Sequence, residues 1–300
     1  MDKIYNISIF LSFVGLWITS YLTGTIEVVL GFILIFSFGI LHGSNDILLI
    51  NTLSKSKQKH SYLKVLAIYL LTIFLAVTVF YFIPLFALLL FVAFSAFHFG
   101  EQHMENKNLN LHKSILNIFY FVYGLLVLQI LFILNTSEVL EIIESIANYS
   151  ITKGIIEFSF ISTLVAFLII STYVMIFSKT YRALFLKEIF YLVIFTIIFN
   201  VSTLIWGFTI YFIFWHSIPS LFEQVSFIYK EFNTKTILKY CIKALPYWIM
   251  SLIGISIVFY ILKDDKMFYA IFFSFIAAVT FPHALVINKM FLHKKAQSSK

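Results

Sequence analysis

Long apolar stretches alternate with short polar segments along the whole chain of 300 residues. Most stretches provide roughly the 17 to 25 apolar residues that an α-helix needs to cross a hydrocarbon core about 30 Å thick. We therefore predict about ten membrane-spanning helices, over residues 4–22, 26–42, 62–83, 85–102, 114–134, 156–177, 188–202, 204–222, 237–262 and 267–291. The pattern defines the helix boundaries least well between residues 188 and 222, where two short stretches are closely joined.

Composition indicates the same class of protein. Hydrophobic residues make up 61% of the chain and charged residues 12%, and phenylalanine occurs 37 times. A water-soluble globular protein needs more polar side chains to cover its surface, so these values exclude that class. We expect an all-α, polytopic transmembrane helical bundle, with residues 1–300 forming a single integral membrane domain. The single Cys241 excludes an intramolecular disulfide.

The basic residues predict the orientation of the chain in the membrane. If the N-terminus is cytoplasmic, 18 of the 21 basic residues lie in cytoplasmic segments, and the exceptions are Lys153, Lys263 and Lys266. Cytoplasmic loops carry an excess of Lys and Arg, so this distribution predicts that both termini are cytoplasmic. The net charge of +7 is then mainly a topology signal, with some attraction to the anionic headgroups of the bilayer. It does not indicate a nucleic-acid partner.

Four histidines lie within the predicted helices that run from the outer to the cytoplasmic side: His42, His98, His216 and His283. A rise of 1.5 Å per residue puts all four about 18 to 24 Å from the start of their helices. A common depth allows one site to collect them, and imidazole is a frequent ligand of iron, zinc and copper. We assign three further histidines to the solvated surface: His60, His112 and His293.

Carboxylates follow two of these histidines at helical spacing. Asp46 is four residues after His42 and shares its face if the helix persists, where it could orient a ligating imidazole. Glu101 is three residues after His98 and could do the same or ligate directly. His103, five residues after His98, lies about 140° around the helix unless the helix breaks at Gly100. The sequence alone leaves these roles open.

Prolines stand beside the other two histidines. Pro219 is three residues after His216, and Pro282 directly precedes His283. A proline inside a helix removes one backbone hydrogen bond and bends the helix. Distorted backbone at membrane depth is tolerated where it lines a cavity or is buried in protein, so we expect irregular helices near this site.

Four segments in order resemble the Brp/Blh family of membrane β-carotene 15,15′-dioxygenases. They are LHGSND at 41–46, SAFHFGEQ at 95–102, FWHSIPS at 214–220 and FPHALV at 281–286. The resemblance implies a non-haem Fe(II) enzyme that uses O2 to split the central double bond of β-carotene into two retinals. It further implies a multi-pass protein of the cell inner membrane, whose retinal is delivered to a rhodopsin.

The resemblance also implies which residues bind iron. Histidines of the first three segments are the implied ligands, here His42, His98 and His216. The family commonly has a further histidine four residues after the third, and this chain has Ser220 there. The fourth ligand is therefore open between a water molecule and three side chains: His283, Glu101 and His103.

Other functions also fit buried histidines. A membrane transporter or a proton or metal relay uses intramembrane histidines, although no internal repeat supports a transporter. An inactive carotenoid-binding relative is favoured by Ser220. A di-iron desaturase needs HxxxH or HxxHH motifs, and neither spacing occurs in the chain.

Overall fold

The chain is mostly helical in the part that the computed structural model describes, residues 2–53, 59–262 and 265–298. No strand occurs among these residues, which confirms the all-α prediction. The α-helices are α1 Asp2–Thr19, α2 Gly24–Leu34, α3 Ile40–Gly43, α4 Asp46–Leu53, α5 Lys59–Phe82, α6 Pro84–Met104, α7 Lys113–Leu134, α8 Thr136–Ala147, α9 Lys153–Phe177, α10 Lys179–Asn200, α11 Leu204–Ile210, α12 Ile218–Tyr229, α13 Thr234–Leu262 and α14 Asp265–Ser298. A short 3-10 helix at Glu105–Lys107 and two π-helical segments, Ile35–Gly39 and Tyr211–Ser217, complete the list.

A helix occupies each of the ten predicted spans. Within the described residues, seven helical segments are long and apolar enough to cross a membrane: Gly24–Leu53, Pro84–Lys107, Lys113–Leu134, Lys153–Phe177, Lys179–Asn200, Leu204–Tyr229 and Phe272–Gln297. Two apolar helices, Ile4–Thr19 and Ala67–Phe82, are shorter. The polytopic helical class is thus confirmed, while ten crossings and cytoplasmic termini stay predictions. Lys263 and the side chains of Lys266 and His60 lie outside the described residues.

The structure contains a helix that the hydrophobic pattern did not predict. The twelve residues of α8, Thr136–Ala147, include three glutamates, so they do not form a continuous apolar stretch. The helix is amphipathic instead, and it buries Val139 and Ile142. A search for membrane spans overlooks such a helix, because its apolar face is only one side.

The chain divides into two compact units. The first contains Met1–Ile35, Ser95–Glu144 and Ser150–Pro219, and the second contains Phe36–Phe94, Ser145–Tyr149 and Ser220–Lys300. The first unit therefore holds His98 and His216, and the second holds His42 and His283. The prediction of a single membrane domain stays a prediction.

Small residues bring α6 and α7 into close contact in the first unit. A Cβ atom added to Gly100 would overlap the carbonyl oxygen of Tyr120, and one added to Gly124 would overlap that of Ala96. Helices in membranes associate closely through such small residues spaced four apart. Gly100 thus serves the crossing of the two helices, and α6 continues unbroken through it to Met104.

Two glutamates accept hydrogen bonds from backbone N–H groups at the start of α11, the helix that leads toward His216. The Glu27 carboxylate accepts a hydrogen bond from the backbone N–H of Thr203 at 3.2 Å, and that of Glu138 accepts from Leu204 at 3.1 Å. These N–H groups have no partner within the helix, and the positive end of the helix dipole favours a carboxylate there. Burial raises the pKa of Glu138, and the hydrogen bond from Leu204 opposes that rise.

The second unit packs its helices around an aliphatic and aromatic cluster from α4, α12 and α14: Leu49, Phe227, Val286, Ile287, Met290 and Phe291. A buried hydrogen bond adds α13 to this core, because the Asn45 side chain donates to the backbone carbonyl of Tyr240 at 2.8 Å. These contacts position α14, which carries His283 near its middle, beside the segment that carries His42.

Both π-helical segments stand at candidate histidines. Ile35–Gly39 ends three residues before His42, and its carbonyls at Phe36 and Ser37 accept hydrogen bonds from the Trp248 indole at 2.9 and 3.1 Å. Tyr211–Ser217 contains His216 and precedes Pro219 by two residues. Irregular helix was expected near the site, and π-helical turns occur frequently at functional sites. By contrast, α14 stays helical through Pro282.

The close crossing of α6 and α7 predicts a strong effect of one added methyl group. We expect Gly100→Ala to destabilise the protein by about 1 to 3 kcal/mol or more, since backbone cannot move aside as a flexible side chain can. Thermal unfolding in detergent micelles measures this change.

Gly254→Ala is the matched control, because no described atom lies within 4 Å of the added methyl group. That variant should unfold at the parent temperature or slightly above it, since alanine favours a helix by up to about 1 kcal/mol. Equal unfolding temperatures for both variants would contradict the assigned crossing.

Candidate metal centre

His42 and His283 form a buried pair in the second unit. Their ring centroids are 4.8 Å apart with the planes nearly perpendicular, at 88°. One ring nitrogen of each lies within 4.8 Å of the other, and the residues are 4% and 3% exposed. Two buried imidazoles at this separation can supply two nitrogen ligands to one ion.

Asp46 orients His283. Its Oδ1 atom is 2.7 Å from Nδ1 of His283, and its Oδ2 atom accepts a hydrogen bond from the Tyr69 hydroxyl at 2.9 Å. An ionised carboxylate only accepts hydrogen bonds, so Nδ1 of His283 is the donor in this contact, and a neutral ring would carry its lone pair on Nε2. This tautomer is the one that a carboxylate behind a metal-binding histidine maintains.

Helical spacing did not indicate the hydrogen bond between Asp46 and His283. We expected Asp46 to share a helical face with His42, four residues earlier, provided that the helix persists. Ser44 and Asn45 form a turn between α3 and α4, and Ser44 keeps helical backbone angles. The Asp46 carboxylate meets His283, whose ring lies next to that of His42.

A hydrogen-bonded chain connects His42 with Ser220. The Tyr240 hydroxyl lies 2.9 Å from the backbone carbonyl of His42 and 2.6 Å from Oε1 of Gln224. The Gln224 amide in turn donates to Oγ of Ser220 at 3.0 Å. Ser220 is fully buried. Through Gln224 and Tyr240 it belongs to a polar network that holds the backbone at His42.

His98 and His216 form a second buried pair, in the first unit. Their ring centroids are 4.7 Å apart at an interplanar angle of 76°, and they are 1% and 2% exposed. Phe212 stacks on the His216 ring at 5.4 Å, and Phe99 packs against it at 4.7 Å. The pair is thus enclosed by aromatic rings, which keep water away from the imidazoles.

The other two candidate residues on α6, Glu101 and His103, have different surroundings. Glu101 is buried one turn after His98, so a carboxylate accompanies that histidine. His103 lies against Glu188, with its Nε2 atom 2.8 Å from a carboxylate oxygen, and it stacks on Tyr123. Because α6 remains helical, His103 faces another part of the unit than His98 does.

The geometry agrees with a family assignment that covers most of the chain. The family model described as Beta-carotene 15,15'-dioxygenase matches residues 33–291. The chain belongs to the β-carotene 15,15′-dioxygenase family. The matched range contains all four candidate histidines of this family member. No curated protein and no solved structure matches the chain significantly.

Sequence reasoning did not identify several residues that surround the histidines in this dioxygenase-family protein. The sequence did not mark Tyr69 and Tyr240 as functional residues, because tyrosines are common in the helices of membrane proteins. Gln224 did carry a signal, as an amide one helical turn after Ser220 within an apolar helix. Polar residues inside such helices tend to be functional or to bind one another.

The chemistry available to these residues is metal coordination. His42 and His283 of the second unit are both buried, and two such imidazoles could serve as ligands of a metal ion. The Asp46 carboxylate supplies the outer hydrogen bond that such ligands usually have. The family member therefore has a donor set that suits a metal cofactor.

The hydrogen bond from Tyr69 to Asp46 predicts a measurable contribution to stability. We expect Tyr69→Phe to lower the free energy of unfolding by about 1 kcal/mol, since it removes one hydrogen bond and keeps the ring. Denaturant unfolding in detergent measures the difference. Tyr81→Phe on the same helix is the control, because Tyr81 is 81% exposed, and it should have no effect. Equal stability of the two variants would argue against the Asp46 contact.

Proposed function

We propose that this protein is a β-carotene 15,15′-dioxygenase. The observation that carries the proposal is the family match over residues 33–291, which includes every candidate histidine. In the proposed reaction the central C=C bond of β-carotene breaks, and each of its two carbons becomes the aldehyde carbon of a retinal. One O2 molecule supplies both aldehyde oxygens, so the reaction needs no separate reductant.

We propose that Fe(II) is the cofactor and that His42, His98, His216 and His283 bind it. All four side chains are at most 4% exposed, and the sequence puts them at one depth in the membrane. Imidazole suits Fe(II), and non-haem oxygenases leave coordination positions open for O2. Fe(II) held there would supply the activation of O2, which amino-acid side chains do not provide.

We assign the fourth ligand to His283 rather than to the alternatives. Ser220 stands where the family commonly has a histidine, and its hydroxyl accepts a hydrogen bond from Gln224. His283 has the carboxylate of Asp46 at Nδ1, which favours the tautomer that ligates through Nε2. His103 is less suitable, because its Nε2 atom lies against Glu188.

The other side chains would orient the ligands and exclude water. Asp46 and Tyr69 hold the ring of His283, and Tyr240 holds the backbone of His42 through its carbonyl. We propose that Glu101, buried one turn after His98, either accepts the outer N–H of a ligating histidine or ligates directly. Aromatic rings around His216 would keep the reacting carbons dry.

The location of the protein suits its proposed substrate. β-Carotene and retinal dissolve in lipid, so a site within apolar helices can be reached sideways from the bilayer. Seven of the described helical segments are long and apolar enough to span a membrane. We propose that the protein resides in the cell inner membrane and that its retinal passes to a rhodopsin.

Expression in cells that accumulate β-carotene tests the activity. We expect the orange colour to fade and retinal to appear in a ratio of about two per β-carotene lost, as central cleavage requires. Pigment extraction and chromatography measure both compounds. Unchanged pigment in cells that contain normal amounts of the protein, or products of unequal length, would overturn the proposal.

Single histidine variants test the ligand assignment. We expect His98→Ala or His283→Ala to reduce bound iron in the purified protein by at least about tenfold and to abolish retinal formation, since metal sites respond steeply to the loss of a contact. Elemental analysis gives the iron content independently of activity.

His293→Ala is the matched control, because the His293 ring hydrogen-bonds to Gln297 at an exposed position and packs on Phe227. That variant should retain iron and activity. An active, iron-loaded His98→Ala protein would remove His98 from the ligand set.

A further inference from the structure

A second polar site lies in the first unit, built from residues that the proposed reaction does not use. A cavity of about 230 Å³ opens between α1, the end of α6 and α10. Its polar lining comes from two lysines, two tyrosines, an imidazole, an amide and a carboxylate: Lys107, Lys187, Tyr5, Tyr191, His103, Asn106 and Glu188. A water molecule takes about 30 Å³ in the liquid, so the cavity accommodates a group several times larger.

Glu188 forms the base of this cavity and positions one of the lysines. The residue is fully buried, and its Oε1 atom is 2.6 Å from the ammonium nitrogen of Lys107. Its Oε2 atom lies 2.8 Å from Nε2 of His103 and 3.3 Å from the Tyr123 hydroxyl. Lys107 is therefore fixed with its charge directed inward, whereas a lysine on an open surface would move freely.

Aromatic rings hold both ammonium groups at the cavity. The Lys107 nitrogen lies 5.9 Å from the centroid of the Tyr5 ring, and the Lys187 nitrogen lies 5.8 Å from that of Tyr191. Contacts of this length between a cation and an aromatic ring are attractive. Lys187 and Asn106 are only half-buried, so the cavity can be reached from outside the protein.

The charge of the lining identifies the kind of ligand. Two lysines and one glutamate leave one net positive charge when His103 is neutral. A phosphodiester carries one negative charge, and its oxygens accept hydrogen bonds from ammonium, amide and phenol groups. The predicted topology places Lys107 and Lys187 on the cytoplasmic side, where basic pockets between membrane helices bind anionic headgroups.

We propose that this cavity binds a phosphate group, carried either by a membrane lipid or by free phosphate. The proposal is independent of the proposed carotenoid cleavage. The shared chemistry is one anionic phosphoryl group held by Lys107, Lys187 and the Asn106 amide. The two sources differ in whether a diacylglycerol chain is attached.

Native mass spectrometry of the purified full-length protein with added phosphatidylglycerol tests the lipid source. Lys187→Gln should weaken binding about fivefold, the factor expected from one lysine beside an anionic headgroup. Lys179→Gln is the matched control, since it removes the same charge from an exposed position on the same helix, and it should bind like the parent. Phosphatidylcholine, whose headgroup has no net charge, should bind weakly to all three proteins.

A second pair of variants tests whether weaker binding comes from a lost charge contact or from a perturbed fold. Asn106→Asp adds a negative charge to the lining without changing its size, and it should also weaken binding about fivefold by repulsion. Asn108→Asp, an exposed change two residues later, should not. Thermal unfolding with and without inorganic phosphate tests the other source, and a rise for the parent but not for Lys187→Gln would assign free phosphate. If Lys187→Gln matches Lys179→Gln with both ligands, the proposal is wrong.

Discussion

A polar side chain buried among apolar helices needs a polar partner, because hydrocarbon offers neither hydrogen-bond donors nor acceptors. Each unit meets this constraint with a carboxylate that serves a histidine and a second donor. Asp46 joins His283 and Tyr69 in the second unit. Glu188 joins His103 and Lys107 in the first. The positions of His283 and His103 therefore depend on two buried acids.

The helices carry these groups by departing from regular geometry only locally. A π-helical turn precedes His42 and another contains His216, and each shifts the following side chains around the helix axis. The carbonyls released at the first turn are satisfied by the Trp248 indole. Elsewhere the helices pack closely, and α6 and α7 meet at Gly100 with no room for a side chain.

Membership of the dioxygenase family and the local structure support one interpretation together. Ser220 replaces a histidine common in the family, yet it is buried and bonded through Gln224 to Tyr240, which holds the backbone at His42. His283 meanwhile has the carboxylate that a ligating histidine requires. In the proposed iron site, His283 therefore takes the place of the family histidine that position 220 lacks, and the histidines stay buried.

The sequence by itself determined the fold class and the candidate histidines. Apolar stretches of membrane-spanning length leave the backbone no alternative to a helix, and helices cover every predicted span. Helical periodicity relates only residues of one unbroken helix, so it could not predict that Asp46 meets His283, 237 positions away. It also could not foresee the turn at Ser44 and Asn45, or the role of Gly100 in packing against Tyr120. The tertiary structure decided these contacts, because they arise from the packing of different helices, which the pattern along one helix does not encode.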